Sequence, residues 1–317
     1  MRKALRPLLI ALAVGTVALA CVKVPYTGRR QFNLVPDSIM QGLGASTYQS
    51  MLADKVVVNS GTNNAILSRV GGRISKVANK PDFAWEYSLI QEDTLNAWCL
   101  PGGKIGFYTG ILPVLRNESG MAFVMGHEVG HATARHGSER LSQNLAMVGG
   151  LGALELVLAG KTKLTQEQRA IVLGAIGVGA QVGVILPFSR AHESEADVIG
   201  LMYMANAGYP PQESIVVWDR MAAAAGGGGA PAFLSTHPPH EKRQAVLRDW
   251  MDNAEKRFAR NKLSGDMLAP LWTGPVPTSG ASKGGGTTTS GTKGGGTTTP
   301  TGGGTTSDEP RTSGGNR

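Results

Sequence analysis

The sequence predicts an α+β fold that is mostly helical, on three observations of hydrophobic periodicity. Within residues 62–80, apolar side chains recur at spacings of three and four, which is typical of an amphipathic helix. The period then changes to two, because Trp85, Tyr87 and Leu89 alternate with polar residues as in a half-buried strand. From Glu118 onwards the pattern is helical for most of the remaining chain.

The individual elements follow from the same patterns and from turn residues. Residues 36–58 and 62–80 are predicted to be two helices. Leu95–Leu100 and Lys104–Thr109 flank the turn Pro101–Gly103 and predict a hairpin in a small sheet. The helices after Glu118 are predicted to stop at Gly160, Pro187, Gly208–Pro211 and Gly226–Gly229.

Two apolar stretches lie in the helical half, Leu145–Gly160 and Ala170–Pro187. The second runs for eighteen residues without a charge, which is near the lower limit for a membrane-spanning helix. It contains several glycines and Gln181, and the first stretch contains Glu155. We therefore predict a helical hairpin that is buried or grazes a membrane, rather than two spanning helices.

Both ends of the chain differ in composition from its body. Residues 273–317 hold fourteen of the 44 glycines and thirteen threonines, so this tail has too little apolar surface to fold. Residues 1–20 combine basic residues with an apolar run of thirteen residues, which is typical of a signal peptide for export. Between them we predict a lipidated N-terminal segment over 21–35 and a globular domain over 36–272.

The formal charge of +8 resides largely in these two ends. Three basic residues lie in the signal peptide and the tail carries a net +2, so the body carries only +3. A dedicated nucleic-acid-binding domain concentrates positive charge on its folded part. We therefore predict no nucleic-acid partner.

Cys21 follows Ala18–Ala20 at the end of the apolar run, where bacterial lipoprotein processing acylates a cysteine that becomes the new N-terminus. We predict this lipidation, with ordinary signal cleavage as the alternative, because Ala-Leu-Ala also fits the small-residue cleavage rule. The lipid would anchor the protein to a membrane. Val22 stands where an aspartate would favour the inner membrane, so we predict the periplasmic face of the bacterial outer membrane; a soluble periplasmic protein is the alternative. Cys99, left without a disulfide partner, is expected to be buried.

The strongest functional signal is His127-Glu128-Val129-Gly130-His131, within a helix predicted from Glu118 to about His136. Residues four apart share one helical face, so His127 and His131 can both direct a ring nitrogen at one metal ion. Glu128 is offset from His127 by about 100°, close enough to hold a metal-bound water without binding the ion. Burying these side chains in an apolar helix without a partner would be costly, which favours a zinc site over two surface histidines.

A catalytic zinc ion needs a third protein ligand and one open position. The downstream candidates are His136, Glu139, His192, Glu193, Glu195, His237 and His240. Glu193 and Asp197 are four apart, so one carboxylate could bind the metal while the other accepts a hydrogen bond from a ligating imidazole. A continued helix would place His136 about 140° around from His131, so His136 is expected at the helix end, away from the metal. Glu195 would project about 200° away from Glu193.

These motifs resemble those of a known family. His127-Glu128-x-x-His131 followed by Glu193-x-x-Ala196-Asp197 is similar to the zinc metallopeptidase family of HtpX, LoiP, BepA and the CAAX prenyl endopeptidases. Further stretches that resemble this family are Pro25–Gln31, Leu95–Gly103 (with Trp98 where phenylalanine is commoner) and Ser235–Pro238 with Arg243. The resemblance covers most of residues 21–250, is greatest to the bacterial outer-membrane lipoprotein members, and leaves out the Gly/Thr tail.

The resemblance implies a zincin-like (gluzincin) metallopeptidase domain that holds one Zn²⁺ ion per chain. It implies that Glu193 is the third zinc ligand, that Asp197 orients a ligand, and that His237 lies near the metal. Leu95–Leu100 resembles the family's edge strand. Asn96 and Ala97 are therefore expected to contact a substrate that binds in extended form.

The predicted activity is that of a zinc-dependent endopeptidase of the bacterial cell envelope. Zinc would polarise the scissile carbonyl and lower the pKa of its bound water, and Glu128 would take the proton and deliver it to the leaving amine. His237 would stabilise the oxyanion. An edge strand offers its backbone to any sequence, so the expected substrates are unfolded or misassembled envelope proteins.

Two other hypotheses use the same residues. In the first, the protein is a chaperone for outer-membrane protein assembly with latent protease activity, its partners include the assembly machinery, and His237 plugs the fourth zinc position. In the second, the zinc is purely structural. The presence of Glu128 disfavours the second hypothesis, because a structural site has no use for a carboxylate that does not bind the metal.

Overall fold

A computed structural model describes residues 21–147, 189–225, 232–238, 242–263 and 271. The strands are β1 (Cys21–Lys23), β2 (Arg30–Phe32), β3 (Glu86–Ile90), β4 (Ala97–Leu100) and β5 (Lys104–Tyr108). The helices are α1 (Asp37–Leu52), α2 (Thr62–Ala78), α3 (Leu112–Leu115), α4 (Glu118–Thr133), α5 (His136–Met147), α6 (Arg190–Asn206), α7 (Glu213–Ala225), α8 (Ala232–Thr236) and α9 (Lys242–Asn261). The predicted α+β class, mostly helical, is confirmed.

Several predictions fall outside these residues. They are the signal peptide, the Gly/Thr tail, the apolar stretches beyond residue 147, and the helix stops at Gly160, Pro187 and Gly226–Gly229. Within the described ranges, each helix is too short or too polar to cross a membrane.

The small sheet is built around β5. In the described residues β4 pairs with β5 in antiparallel orientation and β3 pairs with it in parallel, which gives the order β3-β5-β4. The predicted hairpin is therefore confirmed, and β4 lies at an edge of the sheet. Gly102 and Gly103 make the tight turn at φ of 86° and 82°, values that glycine adopts without steric cost.

The helix predicted over 36–58 ends earlier than expected, at Leu52. Val56–Val58 run instead in extended form beside β3, where the N–H of Gln91 donates to Val56 O at 2.9 Å and the N–H of Val58 donates to Leu89 O at 2.8 Å. Three consecutive β-branched residues favour extended backbone, which explains why the last residues of this prediction are wrong.

Helices α4 and α6 cross at the centre of the fold, and almost every residue of α4 is buried. The crossing is close because glycines replace side chains there. A β-carbon on Gly126 would lie 2.8 Å from the carbonyl oxygen of Gly200, and one on Gly130 would lie 3.1 Å from that of Ala196. The histidine-bearing face of α4 therefore lies directly against the first turns of α6.

Candidate metal centre

Four buried side chains from three segments converge on one point. His127 and His131 lie on α4, Glu193 lies in the first turn of α6, and His237 follows α8. One nitrogen or oxygen atom from each lies within 4.8 Å of the corresponding atoms of the other three. We call these four residues the metal cluster.

The distances within the metal cluster can be compared with the geometry of zinc. His127 Nε2 lies 3.1 Å from His131 Nε2 and 3.2 Å from His237 Nδ1. Glu193 Oε1 lies 3.2 Å from His237 Nδ1 and 3.5 Å from His131 Nε2, and Glu193 Oε2 lies 3.6 Å from His127 Nε2. Ligand atoms about 2.0–2.2 Å from a tetrahedral zinc ion lie about 3.3–3.6 Å from one another. The spacing of the metal cluster therefore fits a zinc ion.

The hydrogen bonding of the carboxylates also fits a cation. Glu193 Oε2 and Glu128 Oε1 are buried and receive no hydrogen bond from the described residues, although Arg243 Nη1 lies 2.8 Å from Glu193 Oε2. A buried carboxylate oxygen without a hydrogen bond costs free energy, which a metal ion bound by the metal cluster would offset at Glu193. Three imidazole nitrogens and a carboxylate oxygen are also the donor types that zinc prefers.

Asp197 lies outside the metal cluster and contacts the far side of the His127 ring. Its Oδ1 lies 2.9 Å from His127 Nδ1. Because a carboxylate can only accept, Nδ1 donates this bond and the lone pair of Nε2 faces the metal cluster.

Arg243 holds Asp197 in place. Its guanidinium donates to Asp197 Oδ2 at 2.6 Å and to Oδ1 at 2.8 Å, and it lies 3.8 Å from the centre of the Trp218 ring. Burial alone would raise the pKa of Asp197, but the charge of Arg243 and the bond from His127 lower it below its usual value. Asp197 is therefore ionised, as an acceptor for His127 must be.

Glu128 lies beside the metal cluster rather than within it. Its Oε1 is 3.4 Å from His237 Nε2, and the backbone N–H of Cys99 on β4 donates to its carboxylate. Burial raises the pKa of Glu128, and the neighbouring His237 and His127 offset part of this effect. A carboxyl group with a raised pKa can exchange a proton near neutral pH more readily than an ordinary glutamate.

Comparison with known proteins places this geometry in a family. Residues 62–251 match the profile of peptidase family M48. The chain belongs to this family. Its zinc metallopeptidase activity, predicted from the motifs, is thereby confirmed, and the metal cluster agrees with the use of zinc.

Three named proteins are similar to large parts of this chain. The mitochondrial metalloendopeptidase OMA1 of Schizosaccharomyces pombe is 34% identical over 236 residues, covering 73% of this chain and 67% of its own length. OMA1 of Saccharomyces cerevisiae is 37% identical over 187 residues, covering 57% of this chain and 51% of its own length. The β-barrel assembly-enhancing protease of Escherichia coli is 27% identical over 252 residues, covering 76% of this chain and 50% of its own length. The chain thus spans between half and two thirds of these three relatives.

The edge strand of this M48 chain is partly occupied by its own residues. Asn96 and Ala97 are buried at the start of β4, and Asn96 Oδ1 accepts the N–H of Ala97 at 3.0 Å. The carbonyl oxygen of Leu95 accepts the N–H of Phe233 on α8 at 3.0 Å. The Phe233 ring stacks on His237 with ring centres 4.5 Å apart, so α8 covers both this end of β4 and the metal cluster.

His136 lies outside the metal cluster, as expected, but the assumption that α4 continues to it is wrong. Helix α4 ends at Thr133, and Arg135 adopts a left-handed φ of 57°, so His136 starts a new helix and its ring turns back. His136 Nδ1 lies 2.9 Å from His131 Nδ1. The chain has neither glycine nor proline at the break, and nothing in the periodicity marks it.

The remaining candidates do not join the metal cluster. Glu139 and His192 contact each other, with Glu139 Oε2 3.0 Å from His192 Nε2. Glu195 lies 3.0 Å from His136 Nε2, on the side of α6 that faces away from Glu193. His240 lies outside the described residues.

Proposed function

We propose that this M48 metallopeptidase is an endopeptidase of the bacterial cell envelope that degrades unfolded or misassembled envelope proteins. In this proposal His127, His131 and Glu193 bind the zinc ion and Glu128 is the general base. The observation that carries it is the convergence of these three buried ligand atoms with the Glu128 carboxylate beside them.

Each residue has a role that follows from its position. Zinc, when bound, supplies a Lewis acid that polarises the scissile carbonyl and makes water a stronger nucleophile at neutral pH. Glu128 accepts the proton of the attacking water and later donates it to the leaving nitrogen, for which its raised pKa is suited. Asp197 holds His127 in the tautomer whose Nε2 lone pair faces the ion.

The proposed substrate is a polypeptide in extended form. Strand β4 is an edge strand, and Cys99 connects it to Glu128 through a backbone hydrogen bond. A chain that adds to such an edge is bound mainly through its backbone, so Asn96 and Ala97 would select for unfolded conformation more than for sequence. Folded proteins seldom offer a segment of this kind.

One experiment tests the activity directly. The purified protein is incubated with a permanently unfolded protein and with a disulfide-locked folded one, before and after treatment with a zinc chelator. We expect cleavage of the unfolded substrate alone, its loss with the chelator and its return when zinc is added. Cleavage that persists after the metal has been removed would contradict the proposal.

A second candidate function is a chaperone for outer-membrane protein assembly in which proteolysis is latent. The observation that favours it is the position of His237, whose Nδ1 lies 3.2 Å from both Glu193 Oε1 and His127 Nε2 and so occupies a fourth ligand position. The E. coli relative named a β-barrel assembly-enhancing protease is consistent with partners in that machinery. Suppression of aggregation of an unfolded outer-membrane protein by the Glu128→Gln variant would support it, and no suppression would exclude it.

The location rests on Cys21 and the predicted signal peptide. We propose that the acylated cysteine anchors the protein to the periplasmic face of the outer membrane. The Cys21→Ser variant should leave the membrane fraction for the soluble periplasm or remain unprocessed. Mass spectrometry that finds an unmodified N-terminus at Cys21 would favour the soluble alternative.

A further inference from the structure

The Pro25–Gln31 motif has no part in the proposed chemistry, yet its side chains reach towards the metal cluster. Thr27 Oγ1 donates to Glu195 Oε1 at 2.5 Å, and Arg29 Nε donates to Glu195 Oε2 at 2.9 Å. These contacts join residues 166 to 168 positions apart in the chain. Glu195 is 7% exposed, so this carboxylate takes its partners from the protein rather than from water.

Arg29 ties α5 to α6. Its Nη1 and Nη2 donate to the two oxygens of Glu139 on α5 at 2.9 and 2.8 Å, while its Nε binds Glu195 on α6. A guanidinium group can serve two carboxylates in this way because its donors lie in one rigid plane. One side chain of the N-terminal segment therefore fixes the relative position of the two helices.

Gln31 holds the backbone at the break between α4 and α5. Its Nε2 donates to Ala134 O at 2.6 Å, and its Oε1 accepts from Arg29 Nη2 at 3.1 Å. Ala134 stands directly before Arg135, whose left-handed φ turns His136 back towards α4. The segment thus supports the turn that brings the His136 ring to His131.

A chain of hydrogen bonds leads from Glu195 to His131. His136 Nε2 lies 3.0 Å from Glu195 Oε2, and His136 Nδ1 lies 2.9 Å from His131 Nδ1. An ionised Glu195 can only accept, so His136 Nε2 carries the proton and His136 Nδ1 is the acceptor. The proton between the two rings then belongs to His131 Nδ1, which leaves the lone pair of His131 Nε2 facing the metal cluster.

The other contacts of Glu195 agree with this order. Thr27 donates to one oxygen of its carboxylate and Arg29 donates to the other, so both oxygens already act as acceptors. The proton in the bond to His136 therefore comes from His136 Nε2.

We propose that Thr27–Gln31, the segment that follows the predicted lipid anchor, sets the zinc affinity of the enzyme by fixing His131 through Glu195 and His136. Arg29 and His136 are positioning residues in this arrangement, since neither belongs to the metal cluster. The proposal rests on the proposed function only in taking His131 as a zinc ligand.

The proposal differs from a simple structural role in what it requires of metal binding. A strap that merely holds the N-terminus to the domain would, when weakened, lower the free energy of unfolding and leave the folded protein's zinc affinity unchanged. If the segment positions a zinc ligand, weakening it must lower both the free energy of unfolding and the zinc affinity. Replacing the hydrogen-bond partner of a ligating imidazole weakens metal affinity by about 10- to 100-fold.

The experiment measures the zinc dissociation constant of the full-length protein by competition with a chromogenic chelator. For His136→Phe we expect an increase of about 10- to 100-fold, and for Arg29→Gln an increase of about 10-fold. The zinc dissociation constant of Arg29→Lys should lie between those of wild type and Arg29→Gln. Lysine restores the positive charge but lacks the planar set of N–H donors that binds two carboxylates. The visible spectrum of the cobalt-substituted protein should change in the same order, since it reports the geometry of the ligands.

Arg69→Gln is the matched control. Arg69 pairs with the buried Glu118 at the opposite end of α4, at 2.5 Å and 3.0 Å, and contacts no residue of the metal cluster. We expect this variant to lower the free energy of unfolding while its zinc dissociation constant and cobalt spectrum remain those of wild type. If Arg29→Gln fails to fold, Thr27→Val replaces it in the experiment. This variant removes the hydrogen bond from Thr27 to Glu195, and its zinc dissociation constant should also exceed that of wild type.

Failure of the proposed function can be distinguished from failure of the role proposed for Thr27–Gln31. If the wild-type protein binds no zinc, the proposed function fails. If the wild type binds zinc and cleaves unfolded protein, but His136→Phe and the folded Arg29 or Thr27 variants bind zinc equally tightly, only the role of the segment is overturned.

Discussion

The backbone nitrogen of His127 lies 2.7 Å from the position that a β-carbon on Gly200 would occupy. Helices α4 and α6 therefore meet backbone to backbone at the level of the first histidine. This contact sets the distance between the histidines of α4 and the carboxylates of α6. Any side chain at residue 200 must move the two helices apart.

Gly200→Ala is expected to destabilise the protein and to weaken zinc binding. Overpacking of a buried contact costs about 1–3 kcal/mol, and the shift also separates His127 from Glu193. The matched control is Gly72→Ala on α2, where a β-carbon would meet nothing within 4 Å. That substitution should raise the free energy of unfolding by roughly 0.5–1 kcal/mol. Urea unfolding and zinc analysis check both variants, and a Gly200→Ala protein as stable as wild type would contradict the close crossing.

Glu128→Gln is expected to separate catalysis from metal binding. The amide cannot accept the proton of water, so peptidase activity should fall by about 10²- to 10⁴-fold. Zinc content should remain that of wild type, because Glu128 lies outside the metal cluster. Glu193→Ala should lower zinc content directly. If Glu128→Gln lost zinc as Glu193→Ala does, the two roles would have to be reassigned.

His237→Ala is expected to raise turnover on an unfolded substrate. His237 Nδ1 lies as close to Glu193 and His127 as a ligand would, so its removal frees the fourth position. The measurement is the initial rate of cleavage at saturating substrate, with thermal unfolding as a check on the fold. A fall of about 10²- to 10³-fold would instead assign His237 to stabilisation of the oxyanion.

The ion pair between Arg29 and Glu139 is expected to lose its stabilising effect in acid. Burial alone would raise the pKa of Glu139, but hydrogen bonds from His192 and Arg29 lower it to about 2. Because this folded-state value lies below that of the unfolded chain, the contribution is complete above about pH 5 and disappears as the pH falls towards 2. The difference in unfolding free energy between wild type and Glu139→Gln should shrink over that range. A difference independent of pH would show that the carboxylate charge is not responsible.

The residues predicted from the sequence are those whose geometry is local. The spacing of four residues places His127 and His131 on one face of α4, and the same spacing relates Glu193 to Asp197 on α6. Helix geometry alone therefore defines two pairs of side chains. Helix geometry does not determine which helices pack together. Here the contact depends on Gly126, because its lack of a side chain allows α6 to pack closely against α4.

The residues that the sequence analysis missed depend on breaks and on distant contacts. The position expected for His136, about 140° around from His131, holds only in a continuous helix. The left-handed backbone of Arg135 ends that helix before His136. The role of Arg29 depends on contacts with Glu139 and Glu195, which lie 110 and 166 residues away. No periodicity connects such positions. The helix predicted for Val56–Val58 is wrong for a different reason, because the prediction continued the helix through a run of β-branched residues.

Under the proposed binding of substrate along β4, the hydrogen bond from Phe233 N–H to Leu95 O makes α8 a competitor for part of the same strand. A substrate strand that adds at the start of β4 would have to displace α8, which belongs to the same chain and is therefore always present. Short peptides make few backbone bonds and would seldom win this exchange. A long unfolded segment makes many, so the length of disordered chain that a substrate exposes would set the threshold for cleavage.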